Sequence, residues 1–244
     1  MMHDVFLCHS GVDKRFVERV ALVLEALGVR VFYDQKSIHT GETNELEIVD
    51  RGLFCSRALV AFVSPAYFDS QRSKWPQKET VTALCHGIAV FLVVLPGVNM
   101  DKGKPNPLFT LGLKINTTRL HPSLQEEDKR AQNAPDGKVN VGSLLRDKAC
   151  VIQDDKTESA LILKRLYSDV IAHLKKEEGE VKQSCQDVSS LSNEQWQQLW
   201  HLAAQECHRI HTPNVQILSG PVFSTMVDTI HTLMVCCVLF FLFK

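Results

Sequence analysis

Apolar residues occur along the first part of the chain in two alternating rhythms. Short, near-continuous apolar runs stand at 4–8 (DVFLC), 29–33 (VRVFY), 58–63 (ALVAFV) and 88–95 (IAVFLVVL). Between the first two, Phe16, Val20, Val23, Leu24 and Leu27 recur at helical spacing, and Gly28 stands where a helix C-cap is expected. Asn44 can cap a helix carrying Leu46, Val49, Leu53 and Phe54. Trp75 to His86 reads as a further helix with Pro76 in its first turn. Strands without polar alternation are covered on both faces. The pattern therefore predicts an α/β fold with helices layered on a parallel sheet.

The rhythm then breaks. Residues 96–145 are polar and irregular, with EEDKR at 126–130, and read as an elaboration of the domain. Cys150-Val151-Ile152 is a short fifth strand, and Thr157 to Leu174 is an amphipathic helix with Leu161, Leu163, Leu166, Val170 and Leu174 on its apolar positions. The expected organisation is a domain at 3–175 with an irregular insertion at about 96–146, a linker at 176–190, a helical segment at 191–221 and an apolar tail at 222–244. Ser192 and Gln195 have the spacing of a capping box, ahead of Trp196, Leu199, Trp200, Ala203, Cys207 and Ile210 on one helical face. The wholly apolar run Leu233 to Phe243 is too short for a bilayer. Extended back to Val222 it reaches a spanning length of about 20 residues, at the cost of including Asp228 and His231. It is a candidate membrane anchor, which acylation at Cys236 and Cys237 would reinforce.

Composition narrows the function. The 244 residues carry Lys+Arg 27 against Asp+Glu 28, a net charge of -1, without the basic excess of a nucleic-acid binder. The 8 cysteines include no C-x-x-C pair, so no metal module is expected and the thiols read as reduced. No secretory leader pattern opens the chain, so a cytoplasmic location is expected, with membrane association through the tail. Neither a G-x-G-x-x-G loop nor a P-loop is present, which leaves hydride and phosphoryl transfer unsupported. No serine or cysteine nucleophile has a triad around His9.

With flavodoxin-like winding, the sheet has its switch point between strands one and three, and ligands bind there, outside the carboxyl ends of the strands. Cys8-His9-Ser10-Gly11 and Ser64-Pro65-Ala66 border that crevice, and the helix from Trp75 follows strand three. Trp75 and Glu79, four residues apart, share one helical face.

These ordered elements resemble a known family. Asp4-Val5-Phe6-Leu7 resembles the opening of Toll/interleukin-1 receptor (TIR) domains. Val31-Phe32-Tyr33-Asp34 followed by Gly41-Glu42 is similar to their second strand and BB loop. Ser64-Pro65-Ala66-Tyr67 is similar to the segment after their third strand. Trp75-Pro76-Gln77-Lys78-Glu79 resembles the W-x-x-x-E of their NAD-cleaving members, and the stretch from Glu79 to Gly87 resembles the TIR domain of the animal axon-degeneration NADase. His9-Ser10-Gly11 departs from the aromatic or arginine pair usual after strand one.

The resemblance implies a flavodoxin-like, three-layer domain with a five-stranded parallel sheet. It implies an NAD+ hydrolase, or cyclase, of stress or innate-immune signalling that is active when self-assembled. NAD+ would be the substrate, with no separate cofactor. Glu79 would be the catalytic carboxylate. Trp75, Ser64, Ser10, His9, Gly11, Phe32 and Tyr67 would bind substrate, and Asp34, Ile38, Gly41 and Glu42 of the BB loop would carry assembly with a second copy or another TIR domain. The alternative is a non-catalytic adaptor signalling through TIR–TIR contacts.

Overall fold

The run His3–His9 is buried from Asp4 through Cys8, as a strand covered on both faces requires. The structure, a computed structural model, describes residues 3–33, 49–68, 75–98, 114–127, 136–140, 149–151, 156–178 and 191–211. Its strands are β1 (His3–His9), β2 (Val31–Phe32), β3 (Ser56–Val63), β4 (Ala89–Val94), β5 (Lys114–Asn116), β6 (Lys138–Asn140) and β7 (Ala149–Val151). Its α-helices are α1 (Lys14–Ala26), α2 (Trp75–Cys85), α3 (Pro122–Glu127), α4 (Lys156–Glu178) and α5 (Asn193–His211).

The main sheet runs β2-β1-β3-β4-β7, every neighbouring pair parallel. Its order reverses direction at β1/β3, where Cys8 pairs with Ala61 and His9 with Phe62. Side chains alternate across the sheet. Phe6 and Cys8, with Leu59, Ala61 and Val63 and then Val90, Leu92 and Val94, form one buried cluster with Ala83 and Leu84 of α2. From the opposite set of positions, Phe62 meets Phe16 beside α1's buried stripe, and Phe91 meets His173 of α4. Helices thus flank the sheet, as the α/β pattern predicts.

Several local signals act as the sequence suggests. Gly28 (φ 87) follows α1 and Gly87 (φ 71) follows α2, both left-handed, where a side chain is strained. At Gly87 a Cβ would also meet the His121 ring at 2.7 Å. Asp4 is buried and takes two guanidinium bonds from Arg30, Nη2 to Oδ1 at 2.6 Å and Nε to Oδ2 at 3.0 Å. The Arg30 backbone N–H also donates to Oδ2 at 2.9 Å. This links the start of β1 to the approach to β2. The capping box is real: the Ser192 N–H donates to Gln195 Oε1 at 2.7 Å, and the Gln195 N–H to Ser192 Oγ at 3.3 Å.

Other expectations change. The segment read as irregular after residue 96 holds the antiparallel pair β5–β6 and the short helix α3. Single apolar residues, Ile115, Leu120 and Val139, anchor it in the core. One buried residue per short polar element leaves no periodicity to read. α4 continues to Glu178, into the stretch read as linker, because Lys175-Lys176-Glu177-Glu178 carries no breaker and places lysines at the favourable C-terminal end. Of the helix expected after Asn44, the described part is a π-helical turn at Val49–Leu53. The tail at 222–244 lies outside the described residues, among which no helix is long and apolar enough to cross a membrane.

The chain divides into two units, Met1–Ala203 and Ala204–Lys244. In the first, Trp196 is fully buried against Tyr167, and Trp200 meets Phe16 and the Arg19 guanidinium. In the second, Arg209 grips Glu206 through both carboxylate oxygens.

Candidate active site

Because β1 and β3 are adjacent and parallel, the segments leaving them emerge side by side. After β1 come Ser10 and a 3-10 turn at Gly11–Asp13; after β3 come Ser64 and a 3-10 turn at Pro65–Phe68. α2 begins beside both. Pro76 suits its first turn, where a missing N–H and a fixed φ carry no penalty.

Two hydrogen-bonded groups knit these segments together. In the first, Ser64 Oγ donates to Asp13 Oδ2 at 2.6 Å and accepts the Tyr67 N–H at 3.3 Å. Burial raises the Asp13 carboxyl above the usual range, against the Ser64 hydrogen bond and the nearby His9. In the second, the Pro76 carbonyl is approached by Tyr67 Oη at 3.0 Å, Thr80 Oγ1 at 3.0 Å and Cys8 Sγ at 3.2 Å. Tyr67 Oη and Thr80 Oγ1 are 2.6 Å apart. Gln77 Nε2 donates back to the Tyr67 carbonyl at 3.0 Å. Cys8, Tyr67 and Thr80 are 1%, 3% and 1% exposed.

Glu79 stands at the edge of this buried group and is itself half-buried. Burial pushes the Cys8 thiol well above its usual range, and the Glu79 carboxylate pushes it further by its charge and a hydrogen bond. The Thr80 and Tyr67 hydroxyls act the other way. Tyr67 is raised chiefly by burial, with Cys8 and Glu79 adding to it. Glu79 therefore lies against the end of β1 and the turn after β3, at the sheet's switch point.

The other residues singled out from the sequence take varied positions. Trp75 is half-buried, with Lys78 Nζ 4.4 Å from its ring centroid. Ser10 is buried and Gly11 is exposed, with open space where a Cβ would stand. The half-buried His9 ring lies 5.4 Å from that of Tyr33. Phe32 is buried and stacks on Phe6 at 5.2 Å, so it belongs to the core cluster. Tyr67 is in the same cluster and uses its hydroxyl on α2. Asp34, Ile38, Gly41 and Glu42 lie outside the described residues. Among the described residues no group of three or more histidine, cysteine or acidic side chains could hold a metal, and Cys8, Cys55, Cys85 and Cys207 carry no disulfide.

Sequence reasoning missed Asp13 and Thr80 as members of this site. Asp13 stands at the start of α1, where an acidic residue is ordinary and signals no distant partner. Thr80, following Glu79 and four residues after Pro76, had the spacing to bond back to the helix's first turn.

The chain is similar to several known proteins. Over 104 residues the chain is 34% identical to NAD(+) hydrolase TcpA of Theionarchaea archaeon (strain DG-70-1), covering 41% of this chain and 30% of that protein. Over 78 residues it is 40% identical to NAD(+) hydrolase PdTIR of Paracoccus denitrificans, covering 32% and 25%. Over another 78 it is 33% identical to the probable 2' cyclic ADP-D-ribose synthase TcpB of Brucella abortus, covering 32% and 30%. The matches thus span about a quarter to a third of these relatives' length. Among solved structures, the TIR domains of the activated Roq1 resistosome align at 18% identity and a TM-score of 0.46, over 69% of this chain and 99% of that one. The TIR domain family profile matches residues 5–133, and the chain belongs to the TIR domain family.

Proposed function

We propose that this TIR domain is an NAD+ hydrolase in which Glu79 is the catalytic carboxylate. The observation that carries the reading is the position of Glu79: half-buried, in the second turn of α2, against the carboxyl end of β1 and the segment following β3. The names of the relatives, NAD(+) hydrolases and a probable cyclic ADP-ribose synthase, support the substrate class.

The chemistry suits one carboxylate. When the bond between the ribose anomeric carbon and the nicotinamide nitrogen breaks, its electron pair goes to that nitrogen and cancels its positive charge. Nicotinamide leaves as a neutral base, so no general acid is required, unlike the alkoxide departure of ordinary glycosides. The ribose becomes oxocarbenium-like, and a fixed negative charge beside it stabilises the cation. Water adds to the anomeric carbon and releases a proton, giving ADP-ribose; attack from within the nucleotide instead gives a cyclic product. Trp75 supplies a flat apolar wall on the same helical face, and Ser64, Ser10 and His9 line the approach. Self-association, through the loop containing Asp34, Ile38, Gly41 and Glu42, completes the active form.

The test is NAD+ loss and product chromatography with purified protein over a range of concentrations, beside Glu79→Ala. Turnover is expected in the wild type, with specific activity rising with concentration, and loss is expected in the variant. Equal turnover in a folded Glu79→Ala protein rejects the assignment. No cleavage at any concentration leaves the adaptor reading.

A further inference from the structure

One hydroxyl grips the helix that carries both Trp75 and Glu79. Tyr67 Oη lies 3.0 Å from Pro76 O and 2.6 Å from Thr80 Oγ1. In α2, Pro76 follows Trp75 and Thr80 follows Glu79. The hydroxyl therefore bonds beside each of the two helix residues proposed to meet NAD+. A third bond runs back, from Gln77 Nε2 to the Tyr67 carbonyl at 3.0 Å. Tyr67 is fixed from the other side as well. Its N–H meets Ser64 O at 3.1 Å and Ser64 Oγ at 3.3 Å, and Ser64 Oγ donates to Asp13. One residue of the turn after β3 thus links the exits of β1 and β3 to the start of α2.

The surroundings of Tyr67 are those of a strut. The residue is 3% exposed, and it lies in the core cluster with Cys8, Ala61 and Ala83. The hydrogens balance. One of the two hydroxyl hydrogens goes to Pro76 O, which Thr80 Oγ1 also approaches at 3.0 Å, and the other lies between the hydroxyls. Burial holds the phenol protonated, so it remains a donor.

We propose that Tyr67 is a positioning residue: through Pro76 O and Thr80 Oγ1, its buried hydroxyl clamps the first two turns of α2 to the end of β3 and sets where Trp75 and Glu79 stand at the sheet's switch point. The clamp acts on the backbone of the helix, so it does not depend on what the Glu79 side chain touches. The catalytic half of this inference rests on the proposed NAD+ cleavage; the clamp itself does not.

Tyr67→Phe keeps the ring in the core and removes one oxygen. Thr80 Oγ1 can still donate to Pro76 O, so no buried donor is left unpaired. Amide hydrogen exchange reads the clamp without turnover. Exchange in the segment 75–82 is expected to quicken several-fold in Tyr67→Phe, with β3 and β4 unchanged. Unchanged exchange at 75–82, or an equal rise in the strands, overturns the clamp. NAD+ cleavage then reads the role. In Tyr67→Phe, kcat per folded molecule is expected to fall roughly 10- to 100-fold, with KM within about two-fold of wild type. An unchanged kcat overturns the positioning role, and so does a raised KM at constant kcat, which would mark a substrate contact. Thr80→Val breaks the same hydroxyl pair and should also lower kcat, and Thr80→Ser, which keeps the oxygen, should recover most of that loss. A Ser variant as slow as the Val variant overturns the role. Should Tyr67→Phe fail to fold, this second pair of variants takes its place in both measurements. Wild-type protein that cleaves no NAD+ overturns the proposed function and the catalytic role together, while hydrogen exchange still decides the clamp.

Discussion

Ser64 Oγ donates to Asp13 Oδ2 at 2.6 Å, joining the end of β3 to the turn that starts α1. The two residues stand 51 positions apart, on neighbouring parallel strands' exits. This bond ties together the segments that leave β1 and β3. Ser64→Ala removes the donor from a partly buried carboxylate and should cost about 1 kcal/mol of stability, measured by chemical denaturation.

Asp13 carries a pH signature. Burial raises its folded pKa, so folding favours the protonated form. That contribution is full below the unfolded value of about 4 and is lost as pH rises through the folded value. Asp13→Asn stays neutral and can still accept from Ser64. It should match or exceed the wild-type melting temperature at pH 7 and flatten the pH dependence above about 4. A lower melting temperature at pH 7 contradicts the argument.

Asp4 has the opposite sign. Burial alone would raise its carboxyl, but the Arg30 hydrogen bonds and charge outweigh burial and hold it below the usual range. Its contribution is present above the unfolded pKa of about 4 and is lost as pH falls through the lower folded value. Asp4→Asn should destabilise at pH 7 and lose that effect in acid, as thermal unfolding at several pH values will show. Arg30 is 46% exposed, and solvent screening keeps the effect modest.

Trp196 is completely buried, and among the described residues its indole N–H has no hydrogen-bond partner. Trp196→Ala should cost about 3–5 kcal/mol from lost packing. Trp196→Phe keeps an aromatic ring against Tyr167 and deletes the unsatisfied donor, so its cost should be well under half of that. Denaturant midpoints of the two variants decide it; similar losses in both would show that the indole nitrogen is not a liability.

If Glu79 stabilises the oxocarbenium-like state, Glu79→Gln should lower kcat by at least about 100-fold. Near-isosteric replacement should leave the melting temperature close to wild type. A folded Gln variant with wild-type kcat would show that charge at this position is not used.

The sheet strands and the principal helices were legible because their signals are local. Runs such as ALVAFV and IAVFLVVL, the helix-ending Gly28 and Gly87, and the Ser192–Gln195 capping box each act through neighbours in the chain. β5, β6 and α3 were not legible. Each depends on one or two apolar anchors whose burial partners come from other elements.

The same division holds for the crevice. The sequence by itself determined the α/β layering, the family motifs and the candidacy of Glu79, because periodicity and short spacings are properties of adjacent residues. Only the tertiary structure decided that Asp13 meets Ser64 and that Cys8, 68 residues before Pro76, shares its carbonyl with Tyr67 and Thr80. Such partners are chosen by which strand ends the winding brings together. A buried donor's need for an acceptor is met across space, without a trace in the spacing of the chain.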